Sequence, residues 1–175
     1  IIPKTGLKIG FASCLHQQKP MPLLLESFPA LLSFLQERGT RFTQHSGIQG
    51  VRLASTVDKQ ESHLDLRWVT GTGLVHLEQA LPLQVPRNRL TAVALRLLAL
   101  NATAIIPGFV LNQNRQVAFR TVALLDHRGY LVTQHLLDLM ATCVESAGSQ
   151  LGPIQALVSS PPKGVATAVW WAEDD

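Results

Sequence analysis

Sulfur chemistry is nearly absent from this chain. Its two cysteines, Cys14 and Cys143, lie far apart with no CxxC spacing, which excludes zinc-ribbon spacing and a disulfide framework and points to a reducing compartment. No apolar run approaches the ~18 residues that a membrane span needs. The first twenty residues lack the basic region, apolar core and small-residue cleavage site of a secretory leader, so a cytoplasmic location and no membrane partner are expected. Aromatic residues are 6% of the chain and do not interleave with basic ones as a base-stacking platform requires. The net charge is +3, but the arginines are scattered singly, so nucleic acid is not an expected partner. There is no GxSxG turn to expose a nucleophile. Carboxylates are few, and none sits in a context that predicts the apolar pocket of a general acid. Enzymatic activity is therefore not expected, nor is a cofactor or a bound metal.

What the chain has is apolar residue, 46% of 175, enough for one domain with a core. Residues 1–22 carry Pro3, Gly6, Gly10 and Pro20 without a period and read as an irregular arm. Residues 23–158 read as a single domain, and 159–175 as a separate tail that opens on Ser-Ser-Pro-Pro and closes on Trp170, Trp171 and three acids. The tryptophan pair either covers part of the chain's own core or anchors a partner.

Within the domain, Leu24, Phe28, Leu31, Leu32 and Leu35 share a helical face. Because Pro29 cannot donate in a helix interior, either Ser27 is the N-cap or the helix kinks at Pro29, and Arg38 and Gly39 are the expected stop. Strands are expected at 50–57 and 63–70 around a turn at 58–61, and at 74–81 after a turn at 70–73. If Gly71 and Thr72 form a two-residue loop, Trp68 faces Val75 and Leu66 faces Leu77 on one side of the sheet. On the other side Arg67 faces His76 and Asp65 faces Glu78. Pro82 and Pro86 are expected to end this meander. A helix at 90–103, a hairpin of 108–112 and 116–125, and a helix capped by Thr133 follow. The last helix is expected to bury Leu136, Leu139, Met140, Cys143 and Ala147 and to stop at Gly148 and Gly152-Pro153.

The 90–103 helix is apolar on two opposite sides. Leu90, Val93, Ala94 and Leu97 form one stripe, and Leu95, Leu98, Ala99 and Ala102 form the other. One stripe suffices to seat a helix on its own core, so the second calls for another surface, either a second copy or a protein or peptide client.

Among polar groups, His63, Asp65, His76 and Glu78 share the second face of the meander and include metal-ligand residue types. A metal site needs three or four donors converging on one point, whereas a flat solvated face does not converge and Arg67 repels a cation. The plain solvated face is the expectation, with a small-molecule or metal-binding face as the second reading. Asp126-His127 reads as a loop, and Gly71-Thr72-Gly73 as a hairpin turn without the helix N-terminus that holds phosphate.

The expected class is α+β: a three-strand meander plus a two-strand hairpin in an antiparallel sheet with helices packed on it, in the order α-β-β-β-α-β-β-α. Segments 34–44 (FLQERGTRFTQ), 77–87 (LEQALPLQVPR) and 100–121 (LNATAIIPGFVLNQNRQVAFRT) resemble the YbjN family of bacterial proteins, candidate sensory-transduction regulators without an established chemistry. The resemblance spans roughly 24–158 and leaves out the arm and the tail. It implies a fold similar to type III secretion chaperones, which form dimers and hold segments of other proteins. It thus implies a homodimeric, non-enzymatic protein-binding or regulatory domain.

Overall fold

Alternation of apolar and polar residues from Gly50 to Gln84 makes three consecutive strands, each with one side to bury, and the helices of the chain supply the cover. The computed structural model describes residues 24–102 and 107–160. Its elements are β1 (Leu24–Leu25), α1 (Phe28–Glu37), β2 (Phe42–Gln44), β3 (Gly50–Val57), β4 (Gln60–Val69), β5 (Leu74–Gln84), α2 (Leu90–Asn101), β6 (Gly108–Leu111), β7 (Gln116–Leu124), β8 (Leu131–Val132) and α3 (Thr133–Ser159). The architecture is α+β, and the expected meander, hairpin and three helices occur in the expected order. Three short strands, β1, β2 and β8, were not expected, being too brief to show a period.

Helix α1 begins where its cap allows. The Ser27 hydroxyl accepts a hydrogen bond from the Ala30 N–H at 3.3 Å, and Pro29 sits in the first turn, where a missing N–H costs nothing. The helix ends at Glu37 and is closed by Gly39, φ +66°, with Gly39 N–H donating to Gln36 and Thr40 N–H to Leu35. Leu24, expected on the helical face, lies instead in β1, which pairs with β8 and ties the start of α1 to the start of α3.

The six-stranded sheet has the order β2-β3-β4-β5-β7-β6, antiparallel throughout. The turn expected over 58–61 is shorter. Val57 pairs with Gln60, and only Asp58 and Lys59 form the loop, both at positive φ (46° and 65°). This is the backbone of a type I′ turn, which asparagine and glycine occupy with less strain than aspartate and lysine. Asp58→Asn with Lys59→Gly is expected to raise unfolding stability by about 1 kcal/mol in urea denaturation.

Between β4 and β5 the expected pairs Trp68 with Val75, Leu66 with Leu77, Arg67 with His76 and Asp65 with Glu78 are all present. Ladder pairing stops at Val69 and Leu74, so the loop has four residues instead of two, with Gly71 and Gly73 at positive φ. Strand β5 does not end before Pro82 but runs on to Gln84. Its pairing with β7 shifts register between Ala80 and Gln84, an irregularity that accommodates a residue without a ladder donor.

Helix α3 corrects the sequence reading most. Thr133 is its first residue and not its cap, since Val132 occupies the cap position and no side chain bonds the helix start. The helix continues through Gly148, Gly152 and Pro153 to Ser159. At 27 residues it spans about 40 Å and packs on β3, β5 and β7. Leu136, Cys143, Ala147, Leu151 and Ile154 remain buried along it, and this packing overrides the local helix-breaking preferences. Burial pushes the Cys143 thiol up to about 12, so it behaves as a small core residue.

The inner face of the sheet carries Val51, Leu53, Leu64, Leu66, Trp68, Val75, Leu77 and Phe119, which join Leu31, Phe34 and Leu35 of α1 and Val93 and Leu97 of α2 in one core.

Candidate partner surface and polar sheet face

Helix α2 is seated as one stripe of its sequence requires. Val93 and Leu97 are buried, and Leu90 and Ala94 are partly so. The opposite stripe is open: Leu95 is 62% and Leu98 66% exposed, with Ala99 and Ala102 exposed beside them. The helix ends at Asn101, two residues short of the expected Thr103.

Asn101 locks the helix to the sheet edge. Its Nδ2 donates to the Phe109 carbonyl at 2.7 Å, and its Oδ1 accepts from the Phe109 N–H at 2.8 Å, so one amide satisfies both backbone groups that β6 turns away from β7. Gly108 packs tightly next to it: a Cβ there would stand 3.0 Å from Asn101 Oδ1, so the amide would have to shift. At the helix middle Arg96 Nη2 donates to Gln150 Oε1 of α3 at 3.4 Å. The exposed stripe is therefore presented on a helix held at several points. Trp170 and Trp171, the expected tail anchor, lie outside the described residues, as does Cys14.

The outer face of the meander is more organised than a flat solvated surface. Arg52, Asp65, Glu78 and Arg120 stand opposite one another on β3, β4, β5 and β7, one straight row across four strands. Two neighbouring acids are thus flanked by two arginines. Arg52 grips Asp65 with Nε to Oδ1 at 2.8 Å and Nη2 to Oδ2 at 2.9 Å, and Arg120 donates twice to Glu78 Oε2 at 2.7 and 3.0 Å.

Asp65, expected on the solvated side, is only 8% exposed, because Arg52 and two histidines close over it. His45 Nε2 lies 3.3 Å from Oδ1, and His63 Nε2 lies 3.9 Å from Oδ2. The His45 ring reaches this point across Gly50, where a Cβ would meet His45 Cδ2 and the Leu66 carbonyl oxygen, each at 3.0 Å. Neither His45 nor Arg52 stood out in the sequence. Arg52 needs the exact turn length to be placed against Asp65, and His45 belongs to the β2–β3 loop, whose path is a tertiary matter.

This arrangement does not favour a cation. Both Asp65 oxygens face a guanidinium, and among the described residues no three His, Cys, Asp or Glu side chains converge as metal donors.

Charge regulation on this face is legible from geometry. Burial weighs most on the Asp65 carboxyl and pushes its pKa up, but the Arg52 hydrogen bonds and charge, with help from His63 and His45, hold it below the usual carboxylate value. His63 is held below its ordinary 6.5, first by burial and then by Arg52. Each group therefore contributes stability above its unfolded pKa and loses it as pH falls through the folded one. Stability is expected to decline as pH drops below about 6.5 through His63, and again in the carboxylate range below about 4 through Asp65. In melts across pH 8 to 5, His63→Gln is expected to flatten the first decline; an identical slope in the variant would refute this assignment.

The Asp126-His127 segment is a tight loop. Asp126 Oδ1 accepts the Arg128 N–H at 2.8 Å and the Tyr130 N–H at 2.9 Å, and these bonds hold its pKa down.

Among the described residues the fold and these surfaces define an α+β domain whose six-stranded antiparallel sheet carries three helices, one of them with an open apolar stripe. The crystal structure of YbjN from E. coli, a candidate transcription regulator, has a similar fold, with a TM-score of 0.54 at 13% identity over 74% of this chain and 92% of that one. At that identity the likeness is one of fold. No family model matches the chain, and no curated protein does. No helix among the described residues is long and apolar enough to cross a membrane.

Proposed function

We propose that this chain is a non-enzymatic protein-binding domain of chaperone-like or regulatory character. It belongs with YbjN in kind as well as in fold, and it works in the cytoplasm as a homodimer. The observation that carries this reading is the outward stripe of α2, with Leu95 and Leu98 both more than half exposed while Val93 and Leu97 already bind the helix to its own core. Covering a leucine of this kind is worth about 1.5–3 kcal/mol, so an uncovered pair on one rigid helix favours an apolar partner. An identical helix of a second copy meets that need with a self-complementary patch, and a client segment meets it with an amphipathic face. The regulatory role ascribed to YbjN is compatible with such a surface.

Sedimentation at micromolar concentrations tests the reading. A mass that rises to twice that of the chain with concentration supports it. A monomer throughout, joined to a lysate pull-down that wild type and a Leu95/Leu98 double variant perform alike, overturns it.

A further inference from the structure

On the outer face beside the sheet edge, one small side chain sits among large polar ones. Ala54 of β3 is paired with His63 of β4, and Arg52 precedes it by two residues on the same face. Thr43 of β2 stands opposite Arg52. Because β2 begins at Phe42, opposite Leu53, Arg41 enters the sheet next to Ala54. A single methyl thus forms the floor where longer side chains form walls, leaving a hollow of about 290 Å³ lined by Arg41, Phe42, Thr43, Arg52, Leu53, Ala54 and His63.

The polar groups around this hollow are those that hold an oxyanion. Arg52 spends Nε and Nη2 on Asp65, which fixes the guanidinium plane, and its other N–H groups stay available to a ligand. Its side chain is 49% exposed, so it is not sealed under Asp65. Arg41 is exposed and has no ion-pair partner among the described residues. Arg52 and Asp65 balance one another, so the surplus positive charge at this small hollow is that of Arg41. A planar guanidinium matches two oxygens of a phosphate at once, and a threonine hydroxyl and an imidazole add single hydrogen bonds.

We infer that the hollow at Arg41, Thr43, Arg52, Ala54 and His63 binds a phosphoryl group, as free phosphate or as the phosphate monoester of a small molecule. The site lies on the sheet face and edge, apart from α2, so it stands whether or not the α2 stripe has a partner.

Titration of the intact protein with inorganic phosphate and, separately, with phosphoserine, followed by NMR of the His63 ring at low ionic strength, tests the inference. Saturable binding with a Kd on the order of 1 mM or tighter is expected for at least one probe. Arg41→Ala is expected to weaken it at least tenfold. Ala54→Leu fills the floor from an exposed position and is expected to abolish binding with an unchanged melting curve. If that variant melts differently, the Arg41→Ala comparison decides. Tighter binding of phosphoserine identifies a monoester as the ligand, and equal or tighter binding of phosphate identifies the free ion. Absence of saturation by either probe at on the order of ten times that concentration, or equal binding by Arg41→Ala, overturns the proposal.

Discussion

Replacing Leu95 and Leu98 together with aspartate is expected to convert the proposed concentration-dependent dimer into a monomer whose fold is intact. The two leucines lie on the outward side of α2, so the change removes nothing from the core, where Val93 and Leu97 keep the helix in place. Nor does it touch the Asn101 clamp on Phe109 or the Arg96 contact with α3. In a two-fold assembly each substitution occurs twice, so four leucines leave the interface and four charges enter it. Even a modest loss of about 3 kcal/mol lowers the affinity more than 100-fold. Sedimentation with far-UV circular dichroism separates the outcomes: a monomer with wild-type helix content fits, while a variant that sediments as the wild type does would sink the idea.

The second large effect concerns α3. Gly148 and Gly152 lie inside a helix where a Cβ would meet nothing within 4 Å at either position, so alanine fits without a clash. Each glycine costs about 1 kcal/mol relative to alanine in a helix interior, so Gly148→Ala with Gly152→Ala is expected to add about 2 kcal/mol. Pro153 lacks the N–H that would bond the Ser149 carbonyl, and Pro153→Ala is expected to add up to about 3 kcal/mol more. Chemical denaturation reads the sum. A triple variant no more stable than wild type would show that α3 is bent at Pro153 in a way its packing requires.

The β4–β5 register was legible in the sequence because apolar pairs fall on one face, and any one-residue slip would turn Leu66 and Trp68 to solvent. The α1 cap was legible from Ser27 and Pro29 together, and the inner stripe of α2 from its spacing. What escaped depended on longer range. A four-residue turn over 58–61 would set Arg52 opposite Arg67. The two-residue turn sets it opposite Asp65, so a single turn length exchanges a like-charged neighbour for a bidentate partner. No local signal chose between them, because Asp58 and Lys59 are poor residues for the turn they make. The stop expected at Gly148 was sound as local preference and failed against Leu151 and Ile154, whose burial against the sheet carries the helix onward.

The candidate site divides in the same way. The outward stripe of α2 follows from helical period alone, since any helix that buries Val93 and Leu97 must present Leu95 and Leu98 elsewhere. The polar face was visible as His63, Asp65, His76 and Glu78, but its chemistry was not, because Arg52 and His45 come from other segments of the chain.

Periodicity, caps and turn residues are local, and they determined the α+β class, the meander and the two-sided helix from sequence alone. Only the tertiary structure decided that β7 joins β5, that α3 passes its glycines and proline, and that Asp65 lies under a guanidinium. Each of these turns on contacts between residues far apart in the chain, whose burial and charge pairing outweigh what the neighbouring residues prefer.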